Sequence, residues 1–222
     1  MIDEPCAVVA GAGRAADLGP ATVVRRPESP GRGAEGERMP GRRVLVTGAT
    51  GVGSTTLGRA LAVAWAVPHA DVDDYLWLPT SPPYTDKRPV AARVALMRSM
   101  FVPRPSWVLS GTLRGWGDEV IAEADAVVFL TARTDVRLER LRRRDVVRYG
   151  AAVDAGGGLE AAHHDFLSWA GEYDDTDVPG RRSADEAWLA GLHQPVLRLS
   201  GERPLDDLRA DVLDRLGDVD LR

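Results

Sequence analysis

From residue 43 to residue 216 the chain alternates between two hydrophobic rhythms. Short apolar runs bounded by turn residues predict strands at 44–47, 68–72, 107–110, 126–130 and 196–199. Apolar positions three and four apart predict helices at 55–66, 93–100, 134–148, 160–169, 184–192 and 204–216. In the first helix Leu57, Ala60, Leu61 and Ala64 form the stripe. Strands separated by helices read as an α/β fold, a parallel sheet with helices on both faces.

Residues 1–41 break this pattern. They are rich in Gly, Pro, Arg and Glu, and are expected to be a disordered N-terminal extension to a folded domain at 42–218. Met39 lies just ahead of the folded pattern and is a candidate start. The string Val8-Val9-Ala10-Gly11-Ala12-Gly13 resembles part of a dinucleotide fingerprint, without the helix and second strand such a motif needs. A chain of 222 residues suits one α/β domain plus this tail. The formal net charge of −5 gives no electrostatic footprint for nucleic acid. No apolar run approaches a membrane span, and the first residues lack the apolar core of a signal peptide. Cytoplasm is therefore the expected compartment. Cys6 is the single cysteine, which excludes an internal disulfide and the Cys-rich zinc frameworks.

The most informative string is Gly48-Ala49-Thr50-Gly51-Val52-Gly53-Ser54-Thr55-Thr56, between the first predicted strand and helix. Backbone N–H groups in such a loop converge on phosphate oxygens, and the helix N-terminus adds positive potential. The spacing matches G-x-x-x-x-G-K-[ST], with Ser54 in the lysine position and Thr55 where the Mg²⁺-ligating hydroxyl belongs. A dehydrogenase reading competes, because Thr47-Gly48-Ala49-Thr50-Gly51 resembles the opening of extended short-chain dehydrogenases. That pattern needs glycine at Ser54, and Lys87 follows Tyr84 by three positions rather than four. A merely structural glycine turn is the other alternative. Among 28 Lys plus Arg only Lys87 is lysine. A compositional bias from lysine to arginine does not explain a serine. Lys87 or an arginine of the later helix is the expected substitute cation.

Asp71-Val72-Asp73-Asp74-Tyr75 follows the second predicted strand, where a parallel sheet presents its ligand crevice. Asp71 and Asp73 share a face of an extended chain, suited to holding Mg²⁺ and accepting a hydroxyl proton. Alternatively, Asp73 or Asp74 caps a helix. Trp77, Tyr84, Lys87 and Arg88 form an aromatic and basic stretch suited to covering an acceptor, or to packing. The third strand ends in Ser110-Gly111-Thr112, a serine where many phosphate-loop proteins place a magnesium-linked aspartate. Arg114 lies just beyond, within expected reach of phosphate. The helix at 134–148 carries Arg137, Arg140 and Arg144 on one face, able to grip phosphate or to form a solvated surface. Gly156-Gly157-Gly158 beside it suggests a mobile lid, about 142–182.

With the loop, the acidic pair, the third strand, the arginine helix and Leu199-Ser200-Gly201-Glu202-Arg203-Pro204 together, the chain resembles the P-loop kinases of the nucleoside monophosphate and shikimate kinase type. The strings from His69 to Trp77 and from Trp107 to Gly111 also resemble small bacterial proteins grouped with adenylate kinases and topology-modulation proteins, and a lysine-free loop resembles some bacterial AAA-family ATPases. The resemblance implies a three-layer P-loop fold with a five-stranded parallel sheet in order 2-3-1-4-5. It implies ATP phosphates on the loop at Gly48, Gly51, Val52, Gly53, Ser54, Thr55 and Thr56. Adenine would lie between the lid arginines, Arg140 among them, and the turn from Gly201 to Pro204. Mg²⁺ would sit at Thr55 and Asp71, with Asp73, Lys87, Arg140 and Arg144 as catalytic candidates. The acceptor, a small molecule or nucleotide, would lie over Asp73, Tyr84, Arg88, Gly111 and Arg114. Ser54 and Ser110 depart from the family pattern and leave a catalytically weak, regulatory nucleotide-binding protein as the alternative. The expected assembly is a monomer or homodimer, with neither nucleic acid nor membrane as partner.

Overall fold

The computed structural model describes residues 42–80, 83–174 and 181–217. The expectations placed on residues 1–41 (the extension, the Val8 to Gly13 string, the Met39 start and Cys6) lie outside the described residues.

Five strands form one parallel sheet: β1 (Arg43–Gly48), β2 (His69–Asp71), β3 (Trp107–Ser110), β4 (Ala126–Thr131) and β5 (Val196–Ser200). Their order is β2-β3-β1-β4-β5, as the resemblance implied. In the dinucleotide-binding order β2 lies directly beside β1. Here β3 separates them, so the sheet is not of the dehydrogenase type. The helices are α1 (Ser54–Trp65), α2 (Val72–Leu76), α3 (Val90–Met100), α4 (Asp118–Ile121), α5 (Thr134–Tyr149), α6 (Glu160–Gly171), α7 (Arg181–Ala190) and α8 (Leu205–Gly217). Short 3₁₀ turns occupy Gly150–Val153 and Glu172–Asp174.

Strand residues point alternately to two apolar layers, which is why their sequences are continuously apolar. Leu45, Leu109, Val127 and Phe129 pack with Val94 and Met97 of α3, Val120 and Ile121 of α4, and Leu189 of α7. Val44, Val46, Val108, Val128 and Leu130 pack on the other face with Leu57 and Leu61 of α1 and Val212 and Leu216 of α8. The parallel register aligns the C-terminal ends of the central strands. Asp71 and Val46 both pair with Ser110, and Gly48 pairs with Leu130.

The structure corrects the expected extended pair at Asp71 and Asp73. The chain leaves β2 at Asp71 and turns at once into α2, so Asp73 lies on a helix. Nor is the helix cap Asp73 or Asp74: the Asp71 carboxylate accepts from the Asp73 amide at 3.1 Å and caps α2 itself. Val72, 1% exposed, anchors the turn. Helix α3 begins at Val90, three residues before its expected start, because Pro89 supplies a helix-compatible φ of −55° ahead of it. Helices α2 and α4, of five and four residues, are too short for periodicity to show.

Candidate functional site

The loop between β1 and α1 is built by backbone geometry. Val52 N–H donates to Ala49 O at 3.1 Å, closing a tight turn. Gly53 then enters α1 with φ 104°, a left-handed conformation that suits glycine. No side chain caps α1, and its first turn holds no acid. Among the described residues the amides of Gly51, Gly53, Ser54, Thr55 and Thr56 have no protein acceptor. Amide donors and the positive end of a 12-residue helix therefore lie together at the start of α1, an arrangement suited to an anion.

Beside these amides stands a carboxylate network. Thr55 Oγ1 donates to Asp71 Oδ2 at 3.0 Å. Ser110 Oγ donates to the same oxygen at 3.4 Å, and His69 Nε2 lies 3.0 Å from Ser110 Oγ. Ser110 is 0% exposed. Desolvation lowers the His69 pKa from its ordinary value, against the opposing charge of Asp71. Sequence reasoning gave His69 no role. The available signal was its place two residues before Asp71, on the same face of a strand.

Two arginines of α5 hold the loop from the other side. Arg137 Nη1 donates to Thr50 O at 3.3 Å, and Arg140 donates to Val52 O at 3.1 Å and to Gly201 O at 2.9 Å. A Cβ on Gly51 would lie 2.8 Å from Arg137 O, so only glycine lets α5 approach this closely. Arg140 thus ties the phosphate loop to the turn after β5, where Pro204 O accepts the Leu208 amide at 3.1 Å. Arg137 is spent on backbone and on Asp174 rather than left for an anion.

Asp73 lies in the first turn of α2. Its side chain reaches solvent yet is crowded by protein. Desolvation, then the charge of Asp71, hold its carboxyl above the usual carboxylate range, against the Trp77 N–H and the charge of Arg144. Arg144 is braced by Asp145, Nε to Oδ1 2.8 Å, with its guanidinium 5.5 Å from the Phe166 ring centroid. Lys87 is exposed, with Nζ 5.4 Å from the Trp77 ring centroid and its backbone bridged to Trp77. Tyr84 meets Trp77 edge-on at 6.0 Å. Arg88 Nε is buried and has no hydrogen-bond partner among the described residues. Arg114 Nε bonds Asp185 Oδ1 at 2.5 Å, and Gly111 takes a φ of 118° against Val72. The structure thus joins the loop, Thr55, Asp71 and Asp73, with Arg144 near enough to act on Asp73. It commits Lys87 to an aromatic face and Arg114 to a carboxylate of α7.

Thr55 and Asp71 are hard oxygen donors of the kind Mg²⁺ prefers, and Mg²⁺ usually completes its shell from phosphates and water. Among the described residues no three His, Cys, Asp or Glu gather to hold a metal. This donor set therefore fits a magnesium ion that arrives with a phosphate ligand.

No protein-family model matches the chain. The uncharacterized protein YqaC of Bacillus subtilis (strain 168) is 39% identical over 176 residues, covering 79% of this chain and 97% of that protein. Among solved structures, a gluconokinase from Sinorhizobium meliloti 1021 aligns with TM-score 0.48 and 21% identity, covering 81% of this chain and 93% of that one. A shikimate kinase from Bacteroides thetaiotaomicron aligns with TM-score 0.45 and 19% identity, covering 79% and 98%.

Proposed function

The chain belongs to the family of the uncharacterized protein YqaC of Bacillus subtilis, and from that starting point we propose that it is an ATP-dependent phosphotransferase acting on a small-molecule or nucleotide acceptor. One observation carries this reading. Acceptor-free amides at the start of α1 meet the Thr55–Asp71 hydrogen bond of 3.0 Å.

The triphosphate lies along the amides of Gly51, Gly53, Ser54, Thr55 and Thr56. Thr55 and Asp71 hold Mg²⁺, which when bound neutralises phosphate charge. Arg140, Gly201 and Pro204 frame the nucleoside end. Asp73 orients the acceptor and takes the proton of an attacking hydroxyl; a phosphate acceptor needs no base. Tyr84, Arg88, Gly111 and Arg114 border the acceptor. Ser54 can donate a hydrogen bond but brings no charge, so Arg144 supplies the cation, acting toward Asp73 from α5. The same serine favours a second reading, a regulatory protein that binds nucleotide without efficient transfer.

Calorimetric titration with ATP and with GTP, with and without Mg²⁺, tests the binding, and turnover over a metabolite panel tests the transfer. The expected result is Mg²⁺-dependent ATP binding, with Thr55→Val losing at least about tenfold of the metal's contribution. No affinity for either triphosphate ends the kinase reading. Tight binding without product from any acceptor supports the regulatory one. Once an acceptor is known, Arg144→Ala is expected to lower kcat by about 10²-fold or more, and by more than Lys87→Ala does. The reverse ranking would move the missing charge to the hairpin around Trp77.

A further inference from the structure

The structure assigns to His69 a positioning role: through Ser110 and Asp71 it sets which way the Thr55 hydroxyl faces. This rests on the phosphotransferase reading of the same site.

Asp71 Oδ2 accepts from both Thr55 Oγ1 at 3.0 Å and Ser110 Oγ at 3.4 Å, while Oδ1 accepts from the Asp73 amide at 3.1 Å. A hydroxyl carries one hydrogen. If Ser110 gives its hydrogen to Asp71, its remaining contact at 3.0 Å must be filled by a donor, and that donor is His69 Nε2–H. Donation in the order His69 to Ser110 to Asp71 gives every one of these contacts a hydrogen, and it is the order the proposal takes. The Thr55 hydrogen goes to the same Asp71 oxygen, so the groups that hold this carboxylate in place fix the direction of the Thr55 hydroxyl. What Thr55 then turns outward is a lone pair, the part of a hydroxyl that can meet a cation.

Packing supports the assignment. β2 and β3 run parallel with Asp71 opposite Ser110, and His69 shares the Asp71 face. The α1 residue above them is Gly58, where a Cβ would lie 3.0 Å from His69 Nε2 and 3.3 Å from Ser110 Cβ. The helix leaves room for an imidazole on a face otherwise filled by Leu57, Leu61 and Val108. An apolar residue would suit that layer better, so the polar ring is explained by its hydrogen bond rather than by packing.

The test compares His69→Leu, which keeps bulk and removes the donor, with His69→Gln, which keeps a side-chain N–H. Two quantities are read: Mn²⁺ affinity of the protein–ATP mixture by electron paramagnetic resonance, and ATP affinity in excess chelator by calorimetry. His69→Leu is expected to weaken Mn²⁺ about tenfold or more with metal-free ATP affinity unchanged, and His69→Gln to restore most of the loss. In a Ser110→Ala background His69→Leu should add nothing, because the link is already cut. If His69→Leu fails to fold by circular dichroism, Ser110→Ala must weaken Mn²⁺ while His69→Gln does not. Wild-type protein that binds Mn²⁺ and ATP with an affinity indifferent to these changes overturns the positioning role alone. Wild-type protein that binds no ATP overturns the phosphotransferase reading and this role with it.

Discussion

Arg137→Met is expected to cost about 3–5 kcal/mol of folding stability, read from denaturant midpoints. Arg137 is 0% exposed although it is charged. Its guanidinium donates to Thr50 O at 3.3 Å, Ala170 O at 3.1 Å, Thr134 Oγ1 at 3.1 Å and Asp174 Oδ2 at 3.0 Å. It also lies 5.1 Å from the Tyr173 ring centroid. Methionine fills the volume and bonds none of these oxygens. Two carbonyls lose a donor, and among the described residues Asp174 keeps Thr134 and, at 3.2 Å, Arg182.

The same change shows in acid. Burial alone would raise the Asp174 pKa. The hydrogen bonds from Thr134 and Arg137, with the charges of Arg137 and Arg182, outweigh it and hold the carboxyl below its usual range. A depressed folded pKa contributes stability that is present above the unfolded pKa and lost as pH falls through the folded value. Wild-type stability should therefore decline through that acid window, and Arg137→Met should decline less steeply there. Nucleotide affinity should also drop, since the Thr50 carbonyl loses its tether. A variant within about 1 kcal/mol of wild type would show the network to be dispensable.

Ser110→Asp is expected to be the second severe change, at about 3 kcal/mol or more, with weaker metal binding. The expectation runs against family resemblance, which places a metal-linked acid at this strand end. At this position the side chain is 0% exposed and its oxygen is 3.4 Å from Asp71 Oδ2. Two carboxylates that close, one of them fully buried, cannot both ionise cheaply. Ser110→Asn has no such charge and should be milder. Thermal melting of the two variants separates repulsion from size. An aspartate variant as stable as wild type that binds Mn²⁺ more tightly would reverse this picture.

Ser54 and Ser110 then read as a pair. Relative to the P-loop kinase pattern that the sequence resembles, they replace one positive and one negative residue. Asp71 is braced by a neutral donor, Ser110, which His69 contacts in turn.

The strand–loop–helix from β1 to α1 was legible because everything it needs is local. Glycine spacing sets the turn, and an apolar run beside a helical stripe marks its two flanks. A shared metal role for Thr55 and Asp71 was expected from the sequence, whereas their hydrogen bond of 3.0 Å is a finding of the fold. The direction of Asp73 was not legible, because an extended chain and a capped short helix look alike over five residues. The arginines of α5 were legible as a face but not as functions. Arg137, Arg140 and Arg144 share one helical stripe, yet one is buried under the loop, one bridges two carbonyls and one acts toward Asp73.

Sequence by itself determined the five strands, most of the helices and the glycine-rich loop, since periodicity and glycine geometry act over a few neighbouring residues. Strand order was anticipated only through resemblance, and pairing across the sheet is what establishes it. Tertiary structure alone decided the partners: Arg140 reaches Val52 across 88 positions, and His69 meets Ser110 across 41. A hydrogen bond depends on where two atoms sit in space, and no local pattern carries the distance between residues that far apart in the chain.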